Sequence, residues 1–301
     1  MRSSGFVLLN KPAGVTSFNA LSPLKKIFKT RRIGHAGTLD LRAFGLIVAG
    51  VERSTRLLPY VESASKTYTF RLHLGYLTDT LEWDGELIEQ GDALSISASD
   101  LEAVLPQFRG DIEQIPPNYS AIKIKGIRAS DLSLQGKEFE LKSRPISIYE
   151  LKVIGKGVSP EDSTGVAFAS FDLECHCSKG TYIRSLCRDI AAALGTFGTV
   201  SHICRKKIGS ISLSDAVLPE DLSVESILSP DKVLPFPILA LSAAEAIPIR
   251  NGNWIPWKGL VENVLPPENL VFASNETGEI ISLCRFEPGR LIPKFFIGSD
   301  E

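Results

Sequence analysis

The sequence predicts an α/β (α+β) protein in which strands and helices interleave over most of the chain and a small β module closes it. Three observations carry this. KTYTFRLHLG (66–75) alternates apolar and polar residues, the pattern of a half-buried strand. GTYIRSLCRDIAAALG (180–195) reads as a strong amphipathic helix with Gly195 as its C-cap. After PDKVLPFPILAL the chain turns to short apolar strands separated by RNGN, LPPEN and NETGE turns, so a domain boundary is expected there, dividing 1–232 from 233–301.

The other elements follow in order. FVLLNKPAG opens as a short strand broken at Pro12-Ala13-Gly14. Ser17 or Ser22 can cap a helix through LSPLKKIFK, with Pro23 at its first position and cations toward its end. LIVAG is a buried strand, and RSTRLLPYV is a short helix ended near Pro59. DTLEWDGELI crosses an Asp-Gly turn, and SASDLEAVLPQF is a capped helix. IPPNYSAIKIKGIRASDL runs extended, turns at Gly126 and then becomes helical. RPISIYELKVIG and TGVAFASFDLECHC are strands on either side of the VSPEDS loop. KKIGSISLSDAV adds a strand and LPEDLSVESIL a short helix. No internal repeat is evident.

At 301 residues, 44% apolar and 23% charged, the chain has the composition of a globular protein with a large core. No apolar run reaches the ~18 residues of a membrane span, and FVLL is too short for a signal-peptide core. A cytoplasmic location without a leader is therefore expected. Five cysteines suggest reduced thiols rather than a disulfide framework.

The net charge of −2 conceals an asymmetry. Residues 1–209 carry 27 Lys and Arg against 22 Asp and Glu, whereas 210–301 carry 6 against 13. Seven cations precede the first acid, Asp40, while residues 78–113 hold ten acids and one base. Such sorting permits a basic face for a polyanion, although charged runs are most often solvated surface.

Several chemistries lack a motif. Nucleotide-binding GxGxxG and P-loop patterns are absent, as is the GxSxG elbow of hydrolases. Cys175 and Cys177 alternate with His176 along a strand, and no second ligand pair with zinc-site spacing appears. Neither a metal nor a cofactor is expected.

The remaining candidate is RRIGHAGTLD, where glycines at 34 and 37 permit unusual backbone and Asp40 stands at a loop-to-strand junction. Taken alone, Asp40 is either a loop-capping aspartate beside a packing histidine or a partly desolvated carboxylate held by a cation from elsewhere. CSKGTYIRSLCRDI supplies such a cation: an extended entry to the helix would put Tyr182 and Arg184 on one side. Tyr68 and Tyr182 offer flat faces for stacking a base.

Seven ordered segments then match one family: LLNKPAGVTSF, RIGHAGTLD with AFGLIVAG, KTYTFRLHLGYLTDTLEWDGE, IPPNYSAIKIKGIRAS, RPISIYEL, CHCSKGTYIRSLCRDIAAALG and RNGNWIPWKG. The chain resembles the bacterial TruB-type tRNA pseudouridine synthases, which isomerise the uridine at position 55 in the tRNA T-loop. The resemblance implies their fold, a mixed, largely antiparallel sheet flanked by helices, with a PUA-like module at 233–301. It implies a catalytic Asp40 paired with Arg184, His35 displacing the target base, Tyr68 and Tyr182 contacting the flipped uridine, and Ile203 against it. Lys123, Lys179 and Arg205 are expected RNA contacts, and the basic blocks at 25–32 and 123–144 are expected to hold phosphates. The expected partner is the T-arm of tRNA, bound by a monomer, with neither cofactor nor membrane. The alternative is a tRNA-binding or folding protein whose catalysis is dispensable. Leu41 and Arg42 depart from the family's usual Pro and small residue after the aspartate. Ser130, Leu134 and Cys204 also depart from its pattern.

Overall fold

A computed structural model describes residues 4–157, 169–257 and 269–298. The VSPEDS loop, the first residues of TGVAFASFDLECHC, most of the LPPEN turn and the last two residues of RNGNWIPWKG lie outside the described residues. The chain forms two compact units: Met1–Leu39, Leu46–Glu62 and Ser210–Glu301 make one, and Asp40–Gly45 with Ser63–Gly209 make the other.

The second unit is built on five strands, hydrogen-bonded in the order Gly198–Ile208, Lys66–Leu74, Ala169–Cys177, Arg144–Lys156 and Gly110–Gln114. All four of these pairings are antiparallel. Phe44 and Gly45 add a short parallel pairing to Cys204 and Arg205, so the sheet is mixed but largely antiparallel. The alternation seen in KTYTFRLHLG places Phe70, Leu72 and Leu74 in the core. On the same strand, Arg71 pairs with Asp172 of the neighbouring strand at 2.7 Å. His73 is buried between Ser170 and Ser201, its ring nitrogens 2.8 and 2.7 Å from their hydroxyls.

Helix Ile183–Ala193 packs on the Gly198–Ile208 and Lys66–Leu74 strands. It buries Ile183, Leu186, Cys187, Ile190 and Ala191 on one face, as its apolar spacing predicts. Gly195 follows with a φ of 74°. The cap expected for SASDLEAVLPQF is Ser97, which forms a reciprocal box with Asp100 and opens helix Ala98–Val104. The segment that turns at Gly126 is a hairpin of Lys123–Ile124 with Ile127–Arg128, followed by helix Ala129–Leu134.

The first unit holds strand Gly5–Lys11 and an antiparallel pairing of Ile33–Ala36 with residues 48–51. It also holds a five-stranded sheet in the order Ile238–Ala240, Leu270–Ser274, Ile280–Glu287, Arg290–Phe296 and Ile255–Pro256. Arg53 packs over Phe296, and Tyr60 meets Phe236 edge-on, so the Leu46–Glu62 segment belongs to the same core as the C-terminal sheet. Among the described residues, no helix is long and apolar enough to cross a membrane.

Four local readings need correction. Pro59 lies in the first turn of helix Leu58–Ser63 rather than at its end, because its missing N–H costs nothing there. Neither Ser17 nor Ser22 caps a helix: Thr16 caps the Ser17–Ala20 turn, and Ser17 is engaged with Leu39 instead. LPEDLSVESIL forms two short 3-10 turns, Pro219–Asp221 and Val224–Ser226. The stretch after residue 232, expected to be strands and turns alone, also contains helix Ala243–Arg250, where a Ser242–Glu245 capping box overrides the internal Pro248.

Candidate active site

Asp40 heads the loop between the Ile33–Ala36 and Phe44–Val51 strands. The residue before it is fixed: the Ser17 hydroxyl accepts from Leu39 N at 2.9 Å and donates to Leu39 O at 3.0 Å. Gly37 makes the preceding bend with a φ of 74°. Beyond Asp40, Gly45 sits at a φ of 102°, and a Cβ built there would lie 2.6 Å from Arg205 O. Only glycine fits so close a strand crossing.

Arg184 comes to Asp40 from the start of helix Ile183–Ala193. Tyr182 has extended φ and ψ of −102° and 112°, the strand-like entry that the spacing required. The buried Gln114 amide reads that entry as a strand partner would, accepting from Tyr182 N at 2.8 Å and donating to Tyr182 O at 3.2 Å. Arg184 is 5% exposed and Asp40 41%. Arg184 Nη2 donates to Asp40 Oδ1 at 3.1 Å, and Nε lies 2.9 Å from Oδ2. The Nε contact is a charge contact, since its N–H is not aligned for a hydrogen bond. The guanidinium also donates to two main-chain carbonyls: Nη1 to Thr80 O at 3.1 Å and Nη2 to Tyr119 O at 2.9 Å.

A second carboxylate faces the same guanidinium. Glu82 Oε1 is 3.9 Å from Arg184 Nε. Burial pushes the Glu82 carboxyl above its ordinary range, with Asp40 and Asp84 adding to the rise and Arg184 and Arg42 opposing it. Its turn is firmly braced. Thr78 Oγ1 donates to Glu82 O, and Asp79 Oδ1 accepts from Thr80 N and Glu86 N. Backbone bonds join Leu81 and Trp83 to Val200.

Tyr68 lies on the Lys66–Leu74 strand, half-buried. Burial raises its phenol, while the charge of Arg205 and a hydrogen bond from it pull the other way. Burial likewise raises Tyr182, opposed by Arg144 and Arg184. Asp40 contributes to the rise of both phenols, which puts all three side chains within electrostatic reach. Ile203 is 7% exposed, at a bulge between Ser201 and Cys204 where His202 takes a φ of 53°. Lys123 and Lys179 are exposed, on the Gly126 hairpin and on the turn before Tyr182. Arg205 differs from expectation: at 1% exposure it serves as a partner of Tyr68, and its burial is at odds with a phosphate contact. His35 is half-buried in the first unit, opposite Ala49 on its strand pair. Cys175 and Cys177 are buried on one face, while His176 turns to Ser65 at 2.9 Å.

The reading of residue types missed Glu82, Gln114 and the main-chain acceptors of Thr80 and Tyr119. Glu82 was hidden in an acidic block that looked like solvated surface. Its one sequence signal was a place inside the long KTYTFRLHLGYLTDTLEWDGE match.

A buried arginine thus holds a partly exposed carboxylate within electrostatic reach of two tyrosines, on a mixed sheet. Residues 25–183 match the TruB family pseudouridylate synthase N-terminal domain. The chain is 38% identical over 252 residues to a protein of Borrelia garinii subsp. bavariensis named tRNA pseudouridine synthase B, covering 84% of this chain and 86% of that one. Proteins of the same name from Mycobacterium tuberculosis and Caulobacter vibrioides are 35% and 36% identical, covering 95% and 96% of this chain and 93% and 94% of theirs. Among solved structures, one described as a Cbf5-Nop10-Gar1 complex superposes with a TM-score of 0.68 at 20% identity, covering 98% of this chain and 85% of that one. Another, an H/ACA RNP bound to a substrate RNA containing 2′-deoxyuridine, gives 0.69 at 19%, with the same coverage. At that identity these two speak for the fold alone. The chain belongs to the TruB family of pseudouridylate synthases and is an enzyme of that class.

Proposed function

We propose that the enzyme isomerises uridine to pseudouridine in tRNA, at position 55 of the T-loop, with Asp40 as the nucleophile. The observation that carries this is the Asp40–Arg184 contact, a partly exposed carboxylate held at two oxygens by a buried guanidinium. The reaction breaks the uracil–ribose C–N bond and joins C5 of the same base to the sugar. Attack at ribose C1′ or at uracil C6 both require a positioned carboxylate, and neither requires an external group.

A stacked uridine must first be flipped out, at a cost of a few kcal/mol. Stacking on an aromatic face offsets roughly 1–3 kcal/mol per base, the role proposed for Tyr68, with Tyr182 and Ile203 completing the pocket. His35 is proposed to displace the base, and the exposed Lys123 and Lys179 to meet phosphates. Residues 1–232 would carry the chemistry, acting as a monomer in the cytoplasm. Residues 233–301 would form a PUA-like module that adds little affinity, since 6 cations stand against 13 acids in 210–301.

The test is incubation with unmodified tRNA transcript, followed by mapping of pseudouridine. Modification confined to the T-loop and lost in Asp40→Asn is the expected result. Modification elsewhere, or activity surviving in Asp40→Asn, overturns the reading. For the module, tRNA should leave hydrogen exchange in the Leu270–Ser274 and Ile280–Glu287 strands unchanged; protection there refutes its minor role.

A further inference from the structure

We propose that Arg42 is a positioning residue: by pairing with Asp84 it fastens the Asp40 loop to the Thr78–Glu86 turn and sets how the Asp40 carboxylate lies against Arg184. This rests on the reading of Asp40 as the reacting group.

Arg42 Nη2 lies 2.8 Å from Asp84 Oδ2, a contact between residues 42 positions apart. Asp84 belongs to the turn that presents Thr80 O and Glu82 to Arg184. That turn is a sound anchor, because the Thr78 and Asp79 side chains close it and Val200 holds it on both sides. On the Asp40 side, the carboxylate is held by Arg184 and the main chain by the residues that flank the loop. Leu39 is held by Ser17, and strand pairing to Arg205 begins again at Phe44 and Gly45. Arg42 lies between these points, two residues from Asp40. Tying its head group to Asp84 removes freedom from the stretch that bears the carboxylate. The charges agree with this geometry: Arg42 is among the cations that oppose the rise at Glu82, and Asp84 among the acids that promote it.

The pair is exposed, 65% at Arg42 and 27% at Asp84, so it contributes little to global stability. A small bias is enough for positioning, because a misplaced nucleophile slows the chemical step without unfolding anything. The competing role for an exposed arginine beside an RNA site is a phosphate contact, which would appear in affinity instead.

The experiment measures single-turnover pseudouridine formation at saturating unmodified tRNA, with tRNA affinity measured separately. It compares wild type, Arg42→Ala, Arg42→Lys, Asp84→Asn and the double variant Arg42→Ala/Asp84→Asn. The rate should fall about 5-fold in Arg42→Ala and in Asp84→Asn, no further in the double variant, and much less in Arg42→Lys. Affinity and melting temperature should not change. Any limb of the pH–rate profile that Glu82→Gln removes should move to higher pH in Arg42→Ala, a shift that simple loosening of a loop does not produce. An unchanged rate in Arg42→Ala overturns the proposal. So do additive losses in the double variant, or weakened binding with the saturated rate intact. Asp40→Ala runs alongside: activity there sinks the underlying reading and this one together. Its loss beside an unchanged Arg42→Ala sinks this inference alone.

Discussion

Arg184 holds Asp40 at both carboxylate oxygens, with Nε 2.9 Å from Oδ2 and Nη2 3.1 Å from Oδ1, while its own side chain is almost wholly buried. A lysine cannot reproduce this fork, nor can it also supply Thr80 O and Tyr119 O. Arg184→Lys should lower the single-turnover rate about 100-fold, the loss of a charge-assisted pair. RNA binding should persist, as measured by filter retention. A rate within a factor of about two of wild type would refute the role given to the fork.

Glu82 yields a stability prediction with a definite sign. Its carboxyl is raised above the ordinary range by burial first and by Asp40 second. The folded state therefore keeps the proton to higher pH than the unfolded chain does. The associated stability is complete below the ordinary glutamic acid range and is lost as pH rises through the raised value. Glu82→Gln removes that dependence. Urea unfolding at stepped pH should show the variant gaining on wild type across this window and then holding a constant difference. Parallel curves would refute it.

His73 gives the opposite slope. Burial foremost, then Arg71 and His202, lowers it from 6.5 to about 4. It folds as the neutral ring between Ser170 and Ser201. Its contribution is present above pH 6.5 and is lost as pH falls through about 4, on the order of 3 kcal/mol in all. His73→Gln should flatten this part of the acid limb in denaturant titrations. An unaltered limb would show that other groups govern it.

Tyr68 divides into a ring and a hydroxyl. Tyr68→Phe keeps the stacking face and removes the hydrogen bond with Arg205, a buried cation. Stability should fall by about 1.5–3 kcal/mol, while activity falls less than in Tyr68→Ala. Paired melting and rate measurements on the two variants check both halves.

Gly45→Ala should cost about 2 kcal/mol or more, because the new Cβ meets Arg205 O at 2.6 Å with φ at 102°. Equilibrium denaturation reads this directly, and a neutral variant would mean that the strand crossing can relax.

Much of this architecture was legible in the residues. Alternation over 66–74 and the apolar face of 183–193 survive folding because each meets a large partner surface. The spacing of Tyr182 and Arg184 offered them as a pair on one side of the chain, and the family resemblance supplied their expected roles. Pro59 was misread because a proline marks a helix start as readily as an end, and only the following turn distinguishes them. Arg205 looked like a phosphate contact beside Lys206 and Lys207, but it lies opposite Tyr68 on the adjacent strand and is buried there. Glu82 was illegible for a deeper reason: its meaning comes from Arg184, about a hundred residues away.

The partners that Arg184 gathers lie 65, 104 and 144 residues from it along the chain. Contacts of such separation form late, after shorter loops have closed. An emerging polypeptide can therefore build hairpins and helices long before its carboxylate meets its guanidinium. With Asp40 in its proposed role, chemical competence waits on these long-range contacts, and a chain stalled before they form would be inert toward uridine.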